Sequence, residues 1–251
     1  MNAIKSNTGW LEKLIPEGFP TKTTTIITGP GGSGKPLIGE TIVSAWLENG
    51  GSVIFMALQY PDSEFVLKNI KHVAGLDIQK YKEKIVFIQL DTEIDSYKVA
   101  HKHLIYANLL KPDVWEHTLD IASKNLPNDG PGVLVFSSAL NLLLFSPTFG
   151  DAILDKIKET ITTNTDKTYL ISVSTSAKRK EIKELEELAD NLILSTSEKK
   201  PFRLYMRILR MKDVAFIPDK IQAPISPETL THMKGIADHS KGKVMPAIQK
   251  I

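Results

Sequence analysis

The stretch TTTIITGPGGSGKP, residues 23–36, decides the reading of the whole chain. Its first half is a β-branched run that reads as a buried strand, and its second half is a glycine turn entering a helical segment. The turn Gly29-Pro30-Gly31-Gly32-Ser33-Gly34-Lys35 matches G-x-x-x-x-G-K, the spacing of a phosphate-binding loop. Glycines are required there because backbone N–H groups must curl around a phosphate, and a Cβ would obstruct the approach. Gly29, Gly31, Gly32, Ser33 and Gly34 would form the cradle, Lys35 would supply a cation, and the helix that follows would add its positive end. The next position should carry a Ser or Thr hydroxyl for Mg²⁺, and it is Pro36. Proline suits a first helical turn, but it removes both the hydroxyl and an N–H donor. One charge-assisted hydrogen bond is worth ~1.5–3 kcal/mol, so affinity for a Mg-nucleotide should fall roughly 10- to 150-fold. Binding is weakened, not excluded.

Outward from the loop, short apolar runs alternate with helical patterns, the signature of a parallel sheet covered by helices. A helix carries Leu37, Ile38, Ile42, Ala45 and Trp46 on one face and stops at Gly50-Gly51. Strands are expected at 53–58, 84–90, 133–136, 169–173, 191–194 and 203–210, with helices at about 62–73, 151–161 and 178–189. Residues 96–124 read as two helices broken at Lys111-Pro112-Asp113. The fold class is therefore α/β, a mainly parallel twisted sheet flanked by helices. One domain is expected over residues 1–224, and the loosely patterned residues 225–251 read as a C-terminal tail or docking arm.

Composition narrows the function. The chain has 251 residues, 31 basic against 29 acidic, for a net charge of +2, too balanced for nucleic acid to be the default partner. With no cysteine, thiol catalysis, disulfides and zinc-thiolate sites are excluded. Neither a signal peptide nor a span is legible, since the apolar stretch 133–145 is short and interrupted by Ser137, Ser138 and Asn141. A cytoplasmic protein with no membrane partner is expected.

Taken together, Gly9-Trp10-Leu11, Pro16-Glu17-Gly18-Phe19-Pro20 and the loop Gly29 to Lys35 resemble the KaiC-like and RadA-like ATPases of the RecA superfamily. The resemblance runs in order and spacing through the later strands to Ile208-Leu209-Arg210-Met211-Lys212, and departs at Lys22, where that family usually has glycine. It implies a RecA-like core, ATP or ADP as ligand, and rings or filaments of this chain or a related protein. It also implies which positions should do the chemistry, and three are replaced. A Leu-Glu-Glu sequence after the second core strand would provide the general base; here it reads Leu58-Gln59-Tyr60. Gln59 can hold a water but cannot take its proton, and losing a general base costs ~10²–10⁴ in rate. The aspartate expected after strand 133–136 is replaced by Ser137, which brings no charge to a metal. Pro36, Gln59 and Ser137 all point away from Mg²⁺ and from hydrolysis. The expected function is a nucleotide-binding regulatory or assembly component deficient in hydrolysis. A slow ATPase with an atypical base, an interaction module without nucleotide, and a DNA-recombination accessory are the alternatives.

Other constellations are weaker. Arg210 and Lys212 stand where hexameric KaiC-like proteins reach a neighbouring subunit's phosphate with the cations exchanged, but an edge strand with solvated charges is the favoured reading. Lys178-Arg179-Lys180 runs into Glu181 and Glu184, which suits a solvated helix better than nucleic acid. Asp62 and Glu64 read as helix caps, not displaced bases. Ser172, Ser174, Thr175 and Ser176 follow a core strand where a polar sensor is expected. His101, His103 and His117 lack a carboxylate to complete a metal set, so no metal is expected.

Overall fold

The computed structural model describes residues 3–163 and 166–251. A short pair, β1 (Ala3–Ile4) and β2 (Phe19–Pro20), brackets α1 (Gly9–Leu14). Then come β3 (Thr24–Thr28), α2 (Lys35–Glu48), β4 (Ser52–Ala57), α3 (Ser63–Ala74), β5 (Ile85–Leu90), β6 (Tyr97–His101), β7 (Leu104–Ala107) and α4 (Pro112–Lys124). The rest comprises β8 (Val133–Ser137), α5 (Gly150–Thr163), β9 (Thr168–Ser172), α6 (Arg179–Leu188), β10 (Asn191–Lys199), β11 (Phe202–Arg210), β12 (Ile221–Ala223), α7 (Pro227–His239) and α8 (Met245–Ile248).

Ten strands form one sheet in the order β12-β11-β10-β3-β9-β8-β4-β5-β7-β6. The seven from β10 to β7 are mutually parallel, and antiparallel strands close both edges. The connection from β3 to β4 runs one way along the sheet, and those from β7 to β8, β9 and β10 run the other. Right-handed crossovers then put their helices on opposite faces. One core gathers α1, α2 and α3 against Ile27, Phe55, Leu134 and Phe136; the other gathers α4, α5 and α6 against Ile26, Ile54, Met56 and Val135. Successive residues of each strand serve different cores, which is why the strands read as unbroken apolar runs.

One expectation is corrected. Residues 96–111 are not a helix but a hairpin, β6 and β7, with β7 added in parallel to β5. All five residues of β6 are exposed, so the strand has no buried face to write a period of two into the sequence. The hairpin is closed by Asn108, whose N–H donates to Ser96 O at 2.9 Å and whose Nδ2 donates to Ile94 O at 3.0 Å. Only the second expected helix exists, as α4, with Pro112 in its first turn.

The loosely patterned residues after 224 are largely helical. Ser226 caps α7 by accepting the Thr229 N–H at 3.1 Å. Ile236 of α7 is buried in the α2–α3 core, whereas Ile248 of α8 is buried in the α4–α5 core. The C-terminal segment thus crosses from one face of the sheet to the other. Within α7, His232 stacks on His72 of α3 at 4.5 Å between ring centroids.

Among the described residues no helix is long and apolar enough to cross a membrane.

Candidate phosphate-binding site

The carboxyl ends of β3, β9, β8 and β4 lie side by side, and the loops that leave them carry nearly every residue singled out above. This is the crevice where ligands bind in open parallel sheets. The loop after β3 needs its glycines. Gly29 (φ +146°) lies so close to β10 that a Cβ would fall 2.0 Å from Ser195 O, and at Gly34 (φ +80°) it would strike Leu204. Pro30, Gly31 and Gly32 form the exposed crest, while Ser33, Gly34 and Lys35 are buried.

Lys35 turns back into its own loop. Its Nζ donates to Gly29 O at 2.9 Å, Pro30 O at 2.7 Å and Ser33 Oγ at 3.2 Å. Burial without an anion beside it pulls its pKa down from 10.5 to about 8. The loop after β9 docks on the crest: Thr175 N–H donates to Gly29 O at 3.0 Å, and Ser176 Oγ accepts the Gly31 N–H at 3.0 Å. Ser195 Oγ donates to Ser33 O from the other side. The loop therefore has the glycines, an amide held by a hydroxyl oxygen, and a desolvated cation. Those groups fit a phosphate, whose oxygens would take the Gly31 amide and whose charge would draw Lys35 outward.

They do not fit a metal. Pro36 occupies the second position of α2 and offers no ligand. Ser137 ends β8 with its Oγ turned to Met56 Sδ at 2.8 Å, inside the sheet. The next residue, Ser138, meets Gln59 instead, accepting from Nε2 at 2.5 Å. Among the described residues no three acidic or histidine side chains cluster in a way that could hold a metal. Asp62 caps α3 through the Phe65 N–H at 2.7 Å, and is thus occupied.

Behind Gln59 lies a group that the sequence reading missed. Glu40 of α2 is completely buried and accepts the Tyr60 hydroxyl at 2.6 Å and Asn69 Nδ2 at 2.6 and 2.5 Å. Burial pushes its pKa up from 4.5 to about 7, against the opposing pull of those donors. The Tyr60 hydroxyl also interacts with the Ser138 and Gln59 side chains. The one available signal was a glutamate amid the buried run of α2, five residues after Lys35.

Arg210 and Lys212 bind within the chain. Arg210 Nη2 donates to Glu186 O and Ala189 O at 2.5 and 2.7 Å, and Lys212 Nζ pairs with Asp190 at 2.9 Å. Lys178 stands just before α6 and pairs with Glu181 at 3.7 Å. Glu184 pairs with Lys158 of α5 at 2.5 Å. His101 and His103 sit at the turn of the β6–β7 hairpin, not on a helix.

The residues between 4 and 234 match the family model described as "ATPase: KaiC". The chain belongs to the KaiC family. A nucleotide-binding, ATPase-type function is the family's common ground. The fold agrees with that of the KaiC-like protein PH0186 from Pyrococcus horikoshii, at a TM-score of 0.65 and 17% identity over 90% of this chain and 95% of that one. The chain is also similar to the UPF0273 protein PAE3143 of Pyrobaculum aerophilum, 23% identical over 159 residues, or 63% of this chain. The match spans 55% of that protein's length, about half. The RecA-like arrangement implied by the resemblance is thus the fold of this KaiC-family chain. Lys22 also makes sense here: it has φ +55°, the left-handed conformation that glycine would take without strain.

Proposed function

We propose that this KaiC-family chain binds ATP or ADP at Gly29, Gly31, Gly32, Ser33, Gly34 and Lys35 without a tightly held Mg²⁺, hydrolyses it poorly, and acts as a regulatory or assembly component. The observation that carries this reading is the pair of Gln59 and Ser138 at the ends of β4 and β8. Leu58 to Tyr60 and Ser137 to Asn141 contain no carboxylate, so neither strand end offers a base or a charged metal ligand. The exposed Gly31–Gly32 crest supports phosphate contact, since only Ser176 need move to free the Gly31 amide. Arg210 and Lys212 could serve a neighbouring copy only after leaving Glu186, Ala189 and Asp190.

The test measures melting temperature with ADP and ATP, each with Mg²⁺ and with EDTA, alongside phosphate release. A rise that is independent of Mg²⁺ and lost in Lys35→Ala, with turnover near background, is expected. A strictly Mg²⁺-dependent rise, or multiple turnovers per minute, would overturn it.

One observation favours a slow ATPase instead. Glu40, with a pKa of about 7, is linked through Tyr60 to Gln59 and Ser138. Such a carboxylate could receive, through intervening hydroxyls, a proton that Gln59 cannot accept. Turnover that Glu40→Gln abolishes while leaving nucleotide affinity unchanged would favour this second reading.

A further inference from the structure

A cavity of about 300 Å³ lies at the carboxyl ends of β4, β5 and β7, roofed by residues 240–244 and α8. It is no extension of the phosphate loop. β4 and β5 stand three and four strand spacings from β3, about 14 and 19 Å away at ~4.8 Å per spacing. At roughly 30 Å³ per water the space holds about ten waters, which suits a small molecule.

The lining divides by charge. From the strand ends come Gln89 and one carboxylate, Asp91. Gln89 spends its Nε2 on Tyr60 O at 3.0 Å, and its buried Oε1 has no partner. Asp91 accepts the Glu93 N–H at 3.0 Å, and its carboxylate makes no ion pair among the described residues. From the roof comes a cation, Lys243, also without an ion pair there. Its neighbour His239 is held toward the neutral form by burial and by Lys243. Between the two sides runs an apolar wall of Leu58, Leu90 and Val244.

We propose that this cavity binds a small zwitterion of amino-acid size, its ammonium on Asp91 and its carboxylate on Lys243. The opposed charges of Asp91 and Lys243 suit a ligand that carries both signs over a simple anion or a simple cation. The side chain of the ligand lies along Leu58, Leu90 and Val244, so an apolar amino acid is preferred. Its seat joins the C-terminal segment to the sheet. It also touches Tyr60, whose hydroxyl reaches Glu40 on the helix of the phosphate loop. The inference does not depend on nucleotide binding.

The experiment is a thermal-shift screen of the full chain without nucleotide. The probes are the twenty free amino acids, with propionate and n-butylamine as single-charge arms. An apolar amino acid at a hundred times its Kd raises the melting temperature by about 5 °C. The rise is lost in Asp91→Asn and Lys243→Gln and kept in Lys35→Ala. In the unsubstituted protein, the methyl ester of that amino acid binds at least tenfold more weakly. No shift with any of the twenty overturns the proposal. So does an equal shift with propionate or n-butylamine, or equal affinity for the ester.

Discussion

The loop after β3 and the ends of β4 and β8 belong to one crevice but are built differently. The first keeps its backbone: three left-handed glycines, a buried lysine and close docking against β10. The second is built on uncharged side chains, with Gln59 bonded to Ser138. Backbone geometry is enforced by the fold itself, because Ser195 O and Leu204 occupy the space a side chain would take. A base is enforced only by turnover. That difference says that Gly29 and Gly34 would persist even if nothing were hydrolysed, and it can be attacked directly.

The largest expected effect is at Gly29. Gly29→Ala should destabilise by about 3 kcal/mol or more, since a Cβ would meet a backbone carbonyl at 2.0 Å in a left-handed residue. Ser137→Ala, at the end of β8, should change stability far less. Urea unfolding of both variants decides whether the contrast holds.

Next is Glu40, which lies between the two regions. Its folded pKa of about 7 stands above the ordinary 4.5, so between these values the folded state holds the proton that the unfolded state has released. Stability should therefore fall as pH rises from about 4.5 to 7, by about 3 kcal/mol in all. Unfolding midpoints at pH 4.5 and 7.5 test this, and Glu40→Gln should flatten the dependence.

Lys35 carries the opposite slope. Its folded pKa is lowered to about 8, so the unfolded state holds more protons between there and 10.5 and stability should rise with pH across that window. Lys35→Met should remove the rise and leave stability near neutrality unchanged or slightly higher, which denaturant unfolding at pH 7 and 9.5 measures. Bound phosphate should cancel the same slope by restoring a partner to the ammonium.

The smallest effect concerns His232, whose pKa is lowered by burial and by His72. Stability from this contact is present above the ordinary 6.5 and is lost as pH falls through the lowered value. His232→Phe should make hydrogen exchange in α7 less sensitive to acid by a few-fold.

How much of this was legible differs residue by residue. The loop, its strand and α2 were plain, because glycine spacing and an apolar run encode backbone requirements directly. The parallel core was plain for the same reason. The β6–β7 hairpin was hidden because β6 is wholly exposed and Leu104 to Ala107 is too short to separate strand from helix. Ser137 drew attention by its place after the strand, yet strand parity turns it inward and sends Ser138 to Gln59. Glu40 was overlooked because its meaning comes from Tyr60 and Asn69, which lie 20 and 29 residues away.

The hydroxyl of Ser176 on the Gly31 amide has one more consequence. An anion that claims this amide evicts the serine, and with it loosens the strap 174–178 that leads into α6. Order gained on the crest is exchanged for order lost on the strap. Occupancy of the loop would then be announced on the protein's surface by the segment that lets go, whether or not a phosphate bond is ever cut.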